Sequence, residues 1–126
     1  MLLNTVHHIA IIGSNYAKTR EFYVDKLGFE IIREAYRPDF DDHKLELRLG
    51  NCELEIFGRP KSPARPADPQ PCGMWHLCFH APDIEESIRQ LNAVGIPVDP
   101  IKINASNGKR IAFFYDPDGL PLELHE

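Results

Sequence analysis

One histidine and one glutamate recur along this chain at a single fixed separation. His8 and His76 stand 68 positions apart, and so do Glu55 and Glu123. The same offset carries Ile9 onto Leu77, Asn15 onto Asp83 and the Gly50-Asn51 pair onto Asp118-Gly119, with a slip of one residue at Gly28 and Gly95. Self-similarity at a fixed period marks one supersecondary unit written twice, and a chain built this way must fold as two like modules. His7 falls on Trp75 under the same offset and gains no counterpart.

Each copy reads in the same order of elements. In the first, "TVHHIAII" is strand-like, and "GSNYAKTREFYVDKLG" predicts a helix capped by Ser14 or Asn15, with Tyr16, Phe22, Tyr23 and Leu27 on its apolar side and Gly28 as its stop. "FEIIREAY" follows as a strand, "RPDFDDH" as a loop, "KLELRL" as an alternating strand, "GN" as a tight turn and "CELEIF" as its antiparallel partner. The stretch "GRPKSPARPADPQPCG" then holds five of the eleven prolines without hydrophobic periodicity, so it is a stiff, exposed connection. In the second copy "MWHLCFHA" is a strand, "PDIEESIRQLNAVG" a helix, "IPVDPIKI" strand-like, "NASNGK" a loop, "RIAFFY" a strand, "DPDG" a turn and "LPLELHE" the closing strand. The expectation is an α+β chain, 1–126 as one domain, made of a βαβββ module over 4–57, a connection over 58–73 and a second βαβββ module over 74–126.

Composition narrows what such a chain does. At 126 residues and 43% hydrophobic it holds enough apolar surface for a core. Its formal net charge of −5 disfavours nucleic acid and anionic membrane as partners, which draw on clustered Lys and Arg. No window approaches the roughly 18 apolar residues of a membrane span and no leader pattern follows Met1, so the expected location is cytoplasmic. Cys52, Cys72 and Cys78 are odd in number and form no C-x-x-C pair, so neither a disulfide framework nor a thiolate zinc site is indicated. Cys52 and Cys78 lie in apolar runs and read as small buried side chains.

Strand alternation places the repeated residues on one face. Ile9 and Ile11, and Leu77 and Phe79, form the apolar set that packs against each module's helix, which turns His8 and His76 to the opposite, inner face and His7 away from it. On the closing strands Leu54, Ile56, Leu122 and Leu124 face the helices, leaving Glu53, Glu55 and Phe57, and Pro121, Glu123 and His125, on the inner side. Two imidazoles and two carboxylates then converge. Buried carboxylates are costly without a compensating cation, and a divalent metal removes that cost. The mixed nitrogen and oxygen set suits Zn²⁺, Ni²⁺, Co²⁺, Fe²⁺ or Mn²⁺ better than Ca²⁺, and four protein ligands leave an octahedral ion two open positions. His80 and His125 share the inner face, either as pocket-lining substrate contacts or as rim residues. Asp41, Asp42 and His43 read as a solvated acidic loop. Arg33, Lys109 and Arg110 are basic residues near the pocket mouth, to be read either as orienting an anionic substrate or as surface salt-bridge partners. Phe113 and Tyr115 read as core.

Paired βαβββ modules with a His in the first strand and a Glu in the last strand of each, the run "REFYVDKLGFEII", and the ending "FFYDPDGLPLEL" with its D-P-D-G-x-x-x-E-L pattern over Asp116 to Leu124 resemble the vicinal oxygen chelate superfamily. They resemble most its glyoxalase I (lactoylglutathione lyase)-like branch, over nearly the whole chain. The resemblance implies a cupped mixed sheet of the glyoxalase/bleomycin resistance/dihydroxybiphenyl dioxygenase-like fold, a homodimer and a small-molecule substrate. It puts the ligands of one divalent metal per site, Zn or Ni first and Co, Mn or Fe as other choices, on His8, Glu55, His76 and Glu123. In the chemistry it implies, the metal holds vicinal oxygens of a hemithioacetal while Glu123 moves a proton between adjacent carbons.

Two positions depart from the pattern. Similar glyoxalase I enzymes carry arginine four residues after the first ligand histidine and asparagine four after the first ligand glutamate, to hold the glutathione γ-glutamyl end; here Ile12 and Arg59 stand there. An isoleucine cannot bind a carboxylate, and Arg59 holds an anion in a different way. The expected substrate contacts are Arg59, Arg33, His80 and His125. Extradiol dioxygenases and fosfomycin-type thiol transferases have no carboxylate at the Glu55 position, similar acyl-CoA epimerases have glutamine there, and sequestering binding proteins of the superfamily lack the ligands. Glu55 therefore favours the glyoxalase-like reading over a dioxygenase, an epimerase or a non-catalytic binding protein.

Overall fold

Alternation in "HIAIIG" makes β1 (His8–Gly13) of the computed structural model, in which Ile11 is buried and His8, Ala10 and Ile12 stay exposed. The structure describes residues 1–126 and divides them at Ala64 and Arg65, inside the proline-rich connection, into two compact units.

In the first unit the Asn15 side chain accepts the Lys18 N–H at 3.1 Å and starts α1 (Tyr16–Arg20). The single α-helix expected here does not persist. From Glu21 to Lys26 the chain widens into a π-helical segment, with the Leu27 N–H reaching five residues back to the Phe22 carbonyl at 2.9 Å. Two consecutive aromatics of this segment, Phe22 and Tyr23, are both buried in the core. Gly28, at φ +77°, ends the segment in the left-handed conformation that glycine adopts without a steric penalty. Strands β2 (Ile31–Arg37), β3 (Asp42–Leu49) and β4 (Cys52–Gly58) complete a four-stranded sheet in the order β1-β4-β3-β2, with β1 parallel to β4 and the other pairs antiparallel. Leu45, Leu47, Leu54, Ile56 and Tyr23 are fully buried and form the core of this unit.

The second unit repeats the plan. β5 (Leu77–His80), α2 (Ile84–Ala93), β6 (Lys102–Ile103), β7 (Arg110–Tyr115) and β8 (Pro121–His125) give a sheet ordered β5-β8-β7-β6. Asp83 caps α2, its carboxylate accepting the Glu86 N–H at 2.9 Å. The core consists of Ile84, Leu91, Ile96, Ala112, Phe114, Leu122 and Leu124. The strand expected over "IPVDPIKI" shrinks to the two residues of β6, because Pro97 and Pro100 have no N–H for a ladder; of this run Asp99 gives one bond, to the Phe113 carbonyl at 2.8 Å.

The two sheets are built in the same register. Ala10 lies opposite Glu55 across β1 and β4, and Cys78 lies opposite Glu123 across β5 and β8, so the offset seen in the sequence is also a register of strand pairing. Two four-stranded mixed sheets, each with its helix, constitute the paired βαβββ fold. No helix is long and apolar enough to cross a membrane. All three cysteines are free; Cys52 is half-buried, while Cys78, expected in the interior, is exposed.

Candidate functional site

In the first unit His8 opens β1 and Glu55 lies in β4, and their proximity follows from the parallel pairing of these strands. His8 Nε2 is 3.6 Å from Glu55 Oε2. Glu55 is only 8% exposed, and its other oxygen meets Lys44 Nζ at 3.0 Å. Lys44 also reaches Glu46 Oε1 at 3.2 Å, and Arg33 closes on Glu46 with Nε at 2.6 Å and Nη2 at 3.0 Å. Carboxylate oxygens of Glu46, Glu53 and Glu55 lie within 4.8 Å of one another, a density of charge that Arg33 and Lys44 make tolerable. The Arg33 fork is the main reason that the Glu46 carboxyl is held down at about 2. Arg33, expected to contact substrate, is thus engaged by Glu46.

His7 does not turn away from His8 as strand alternation requires. It precedes β1, is free of the pleat, and sets its Nδ1 3.0 Å from Nδ1 of His8, one ring donating and the other accepting, with the rings edge to face.

In the second unit His76 stands immediately before β5 and Glu123 at the centre of β8. His76 Nε2 is 2.8 Å from Glu123 Oε2, and Glu123 is 6% exposed. The imidazole is held edge-on against Phe113, ring centres 5.5 Å apart, and its buried Nδ1 has no hydrogen-bond partner. Phe113 is therefore part of this site rather than only of the core. Cys78 adjoins Glu123 in register, and partial desolvation of its sulfur together with that carboxylate pushes its thiol up to about 11.

The other expected contacts divide. His80 is exposed and lies opposite His125 in the strand register. His125 is occupied: its Nδ1–H donates to the Glu126 carbonyl at 2.8 Å, and its Nε2 accepts from the Asn107 amide at 3.1 Å. Arg110 is bound to Glu126 by two hydrogen bonds at 2.9 and 2.6 Å and also to Glu85, so its guanidinium is engaged by these acids. Tyr115 is exposed, its hydroxyl donating to Asp99 at 2.9 Å.

The loop read as solvated and acidic contains a buried anion. Asp42 begins β3, is 1% exposed, and accepts from Arg37 Nε and Nη2 at 2.7 and 2.6 Å and from Arg59 Nε at 2.9 Å. Arg37 and Arg59 together hold its carboxyl below the usual range, the Arg37 hydrogen bonds foremost. Neither Arg37 nor Asp42 was signalled as functional by its surroundings in the sequence; the cue available was an acid and a base flanking a turn.

Each unit thus presents one imidazole nitrogen beside one carboxylate oxygen. Bonds of about 2.0–2.2 Å at right angles around a divalent ion place adjacent donors about 3 Å apart. The separations of 3.6 and 2.8 Å bracket that value, and the unpaired Nδ1 of His76 shows that its ring is not held by hydrogen bonds on both sides. The donor chemistry fits a first-row divalent metal.

Known proteins carry the same plan. The chain is 45% identical to YwkD of Bacillus subtilis (strain 168), an uncharacterized protein, over all of this chain and 99% of that one. It matches the crystal structure of a glyoxalase family protein from Enterococcus faecalis at 52% identity and a TM-score of 0.96, covering both chains fully. More distant likenesses are bovine mitochondrial methylmalonyl-CoA epimerase, 26% identical over 98% of this chain and 75% of that one, and lactoylglutathione lyase from Agrobacterium tumefaciens, 23% identical with a TM-score of 0.74 over all of this chain and 96% of that one. The model of the Glyoxalase/Bleomycin resistance protein/Dioxygenase superfamily matches residues 5–124, and the chain belongs to that superfamily.

Proposed function

We propose that the protein is a metal-dependent lyase or isomerase of the glyoxalase I kind, acting on a thiol adduct of a small 2-oxoaldehyde or a related substrate with oxygens on adjacent carbons. His8, Glu55, His76 and Glu123 supply the protein ligands of one divalent ion, Zn²⁺ or Ni²⁺, one His–Glu pair of each kind per ion, from one chain or from two copies in a homodimer. The observation that carries the reading is that both pairs, 68 residues apart in sequence, hold nitrogen and oxygen at ligand spacing. Bound there, the ion draws electron density from the substrate's paired oxygens and acidifies the neighbouring C–H.

The chain's own residues do the rest. Glu123, buried and set against the His76 ring, is the group that moves a proton between the two carbons. Lys44 keeps Glu55 and Glu46 from repelling each other while the substrate is exchanged. Phe113 packs on the His76 ring and fixes its plane.

The deciding experiment reconstitutes the protein with Zn²⁺ or Ni²⁺ and supplies methylglyoxal with glutathione, and separately with bacillithiol, following loss of the α-proton. Turnover with any thiol, abolished in His8→Ala and His76→Ala together with the bound metal, supports the reading. Metal binding without turnover of any adduct overturns it. Solvent deuterium entering an acyl thioester without net reaction assigns an epimerase instead, and oxygen uptake with a catechol under Fe²⁺ a dioxygenase.

A further inference from the structure

The first unit carries a second group of charges that a metal at Glu55 does not account for. Arg37 and Asp42 are cross-strand partners that close the β2–β3 hairpin, so their bidentate pair has a structural role. Arg59 has no such role. Its backbone is already fixed by the Gly13 carbonyl at 2.9 Å, and its side chain crosses to a carboxylate that one arginine has already neutralised. It binds there through Nε alone, which leaves both terminal amino groups of a half-exposed guanidinium without a hydrogen-bond partner.

The surroundings hold these donors toward the Glu55 face. Phe57 lies two residues after Glu55, on the same face of β4, and three cations gather round its ring: the Arg37 guanidinium carbon at 4.8 Å, Lys44 Nζ at 5.7 Å and the Arg59 guanidinium carbon at 5.8 Å. One ring does not offset three cations. Around Asp42 itself two guanidiniums, Arg37 and Arg59, share one carboxylate, a local excess of one positive charge in a protein whose net charge is −5. A neutral substrate would leave that excess unanswered.

We propose that Arg59, with Arg37 behind it and Phe57 beneath, is an oxyanion subsite, and that the substrate is an anionic vicinal-oxygen compound whose carboxylate or phosphate takes the free amino groups of Arg59. The length of the substrate rests on the reading of Glu55 as a metal ligand, which fixes its other end. Two residues along one face of a strand span roughly 7 Å, so the anionic end lies about that far from the chelated oxygens. A guanidinium already oriented by a buried aspartate binds an oxyanion without first ordering its own side chain.

The test compares two chelators of zinc-loaded protein that differ only in an anionic arm, acetohydroxamate and the monohydroxamate of succinic acid, by calorimetry. The carboxylated probe is expected to bind at least about tenfold more tightly to the native protein, a step of one decade in Kd. In Arg59→Met that preference disappears while acetohydroxamate binds as before, and Arg59→Lys restores part of it. A preference that is absent in the native protein, or that survives Arg59→Met, overturns the subsite. Arg59→Met keeps the bond to Gly13, which is a backbone bond, and leaves the Arg37–Asp42 pair intact, so loss of fold does not confuse the result. If zinc or acetohydroxamate fails to bind, the metal reading falls by itself, and the subsite is judged on metal-free protein titrated with succinate and with inorganic phosphate. Saturable shifts of the Arg59 Nε–H resonance that vanish in Arg59→Met sustain it and show which oxyanion it takes. No response to either anion overturns it.

Discussion

Lys44 Nζ lies 3.0 Å from one oxygen of Glu55, while His8 Nε2 approaches the other at 3.6 Å. The carboxylate is therefore shared between a fixed cation and a candidate metal ligand. Lys44 bridges Glu55 and Glu46, and both acids raise its own affinity for a proton, Glu55 the more. An ion at Glu55 does not have to displace Lys44, because the two use different oxygens.

Lys44→Met is expected to destabilise the metal-free protein by about 1–3 kcal/mol, the usual range when a buried charged group loses its partner. Bound metal then does alone what two cations did, so Zn²⁺ should raise the melting temperature of the variant more than that of the native chain. Calorimetric melting with and without Zn²⁺ checks this. Equal metal-induced rises in the two proteins would mean that Lys44 and the ion do not act on the same carboxylate.

Glu123→Gln separates binding from proton transfer. An amide oxygen still serves as a weak ligand, but it cannot act as a base, so catalysed exchange of the substrate α-proton should fall by about 10²–10⁴. His76→Ala should instead lose metal in proportion to activity, because it removes a donor and exposes Glu123. Metal content by emission spectrometry, measured beside proton exchange, distinguishes the two. Exchange that survives in Glu123→Gln would move the base to another residue.

Acid stability should depend on the Arg110–Glu126 pair. Arg110 holds the Glu126 carboxyl at about 2, well under its ordinary value of 4.5, by two hydrogen bonds. A carboxyl depressed in the folded state favours folding above its unfolded pKa, and that contribution is lost as pH falls through the interval from about 4.5 to about 2. The melting temperature of Glu126→Gln should accordingly lie below that of the native protein at neutral pH and meet it near pH 2. A gap that stays constant down to that pH would show that the pair contributes packing rather than charge.

The pairing of His with Glu in each unit was legible in the sequence because the repeat supplied two independent copies of the same register, Ala10 opposite Glu55 and Cys78 opposite Glu123. Alternation put His8 on the side of its sheet where Glu55 lies 3.6 Å away, and burial of Ile11, Leu54 and Ile56 follows the same rule. It failed at His7, which lies before the strand and so outside the pleat. The partners of Glu55 were hidden for a different reason. Lys44 and Glu46 alternate with Leu45 and Leu47 as any half-solvated strand does, and only cross-strand register reveals that they meet Glu55. Asp42 and Arg59 are separated by two strands, so the acidic run before His43 looked solvated although one of its members is enclosed by two arginines. The π-helical segment was equally hidden, since the apolar spacing from Tyr16 to Leu27 allows an α-helix.

Gly58 adjoins Arg59 of the proposed oxyanion subsite, and it gives a last test. A Cβ there would stand 2.7 Å from Tyr16 Cβ and 2.9 Å from Tyr16 Cδ2, and the Tyr16 ring is itself stacked on His43 with centres 4.4 Å apart. Gly58→Ala should cost about 1–3 kcal/mol, as overpacking does. Gly28 differs, since a Cβ meets nothing within 4 Å but the backbone sits at φ +77°. Gly28→Ala should cost about 1 kcal/mol through conformation alone. Asparagine separates the two causes, because it tolerates the left-handed region but is larger than alanine. Gly28→Asn should recover much of the stability lost in Gly28→Ala, whereas Gly58→Asn should be worse than Gly58→Ala. Urea unfolding of the four variants checks the pattern, and recovery by asparagine at position 58 would show that Tyr16 yields and that the contact is not what fixes this corner.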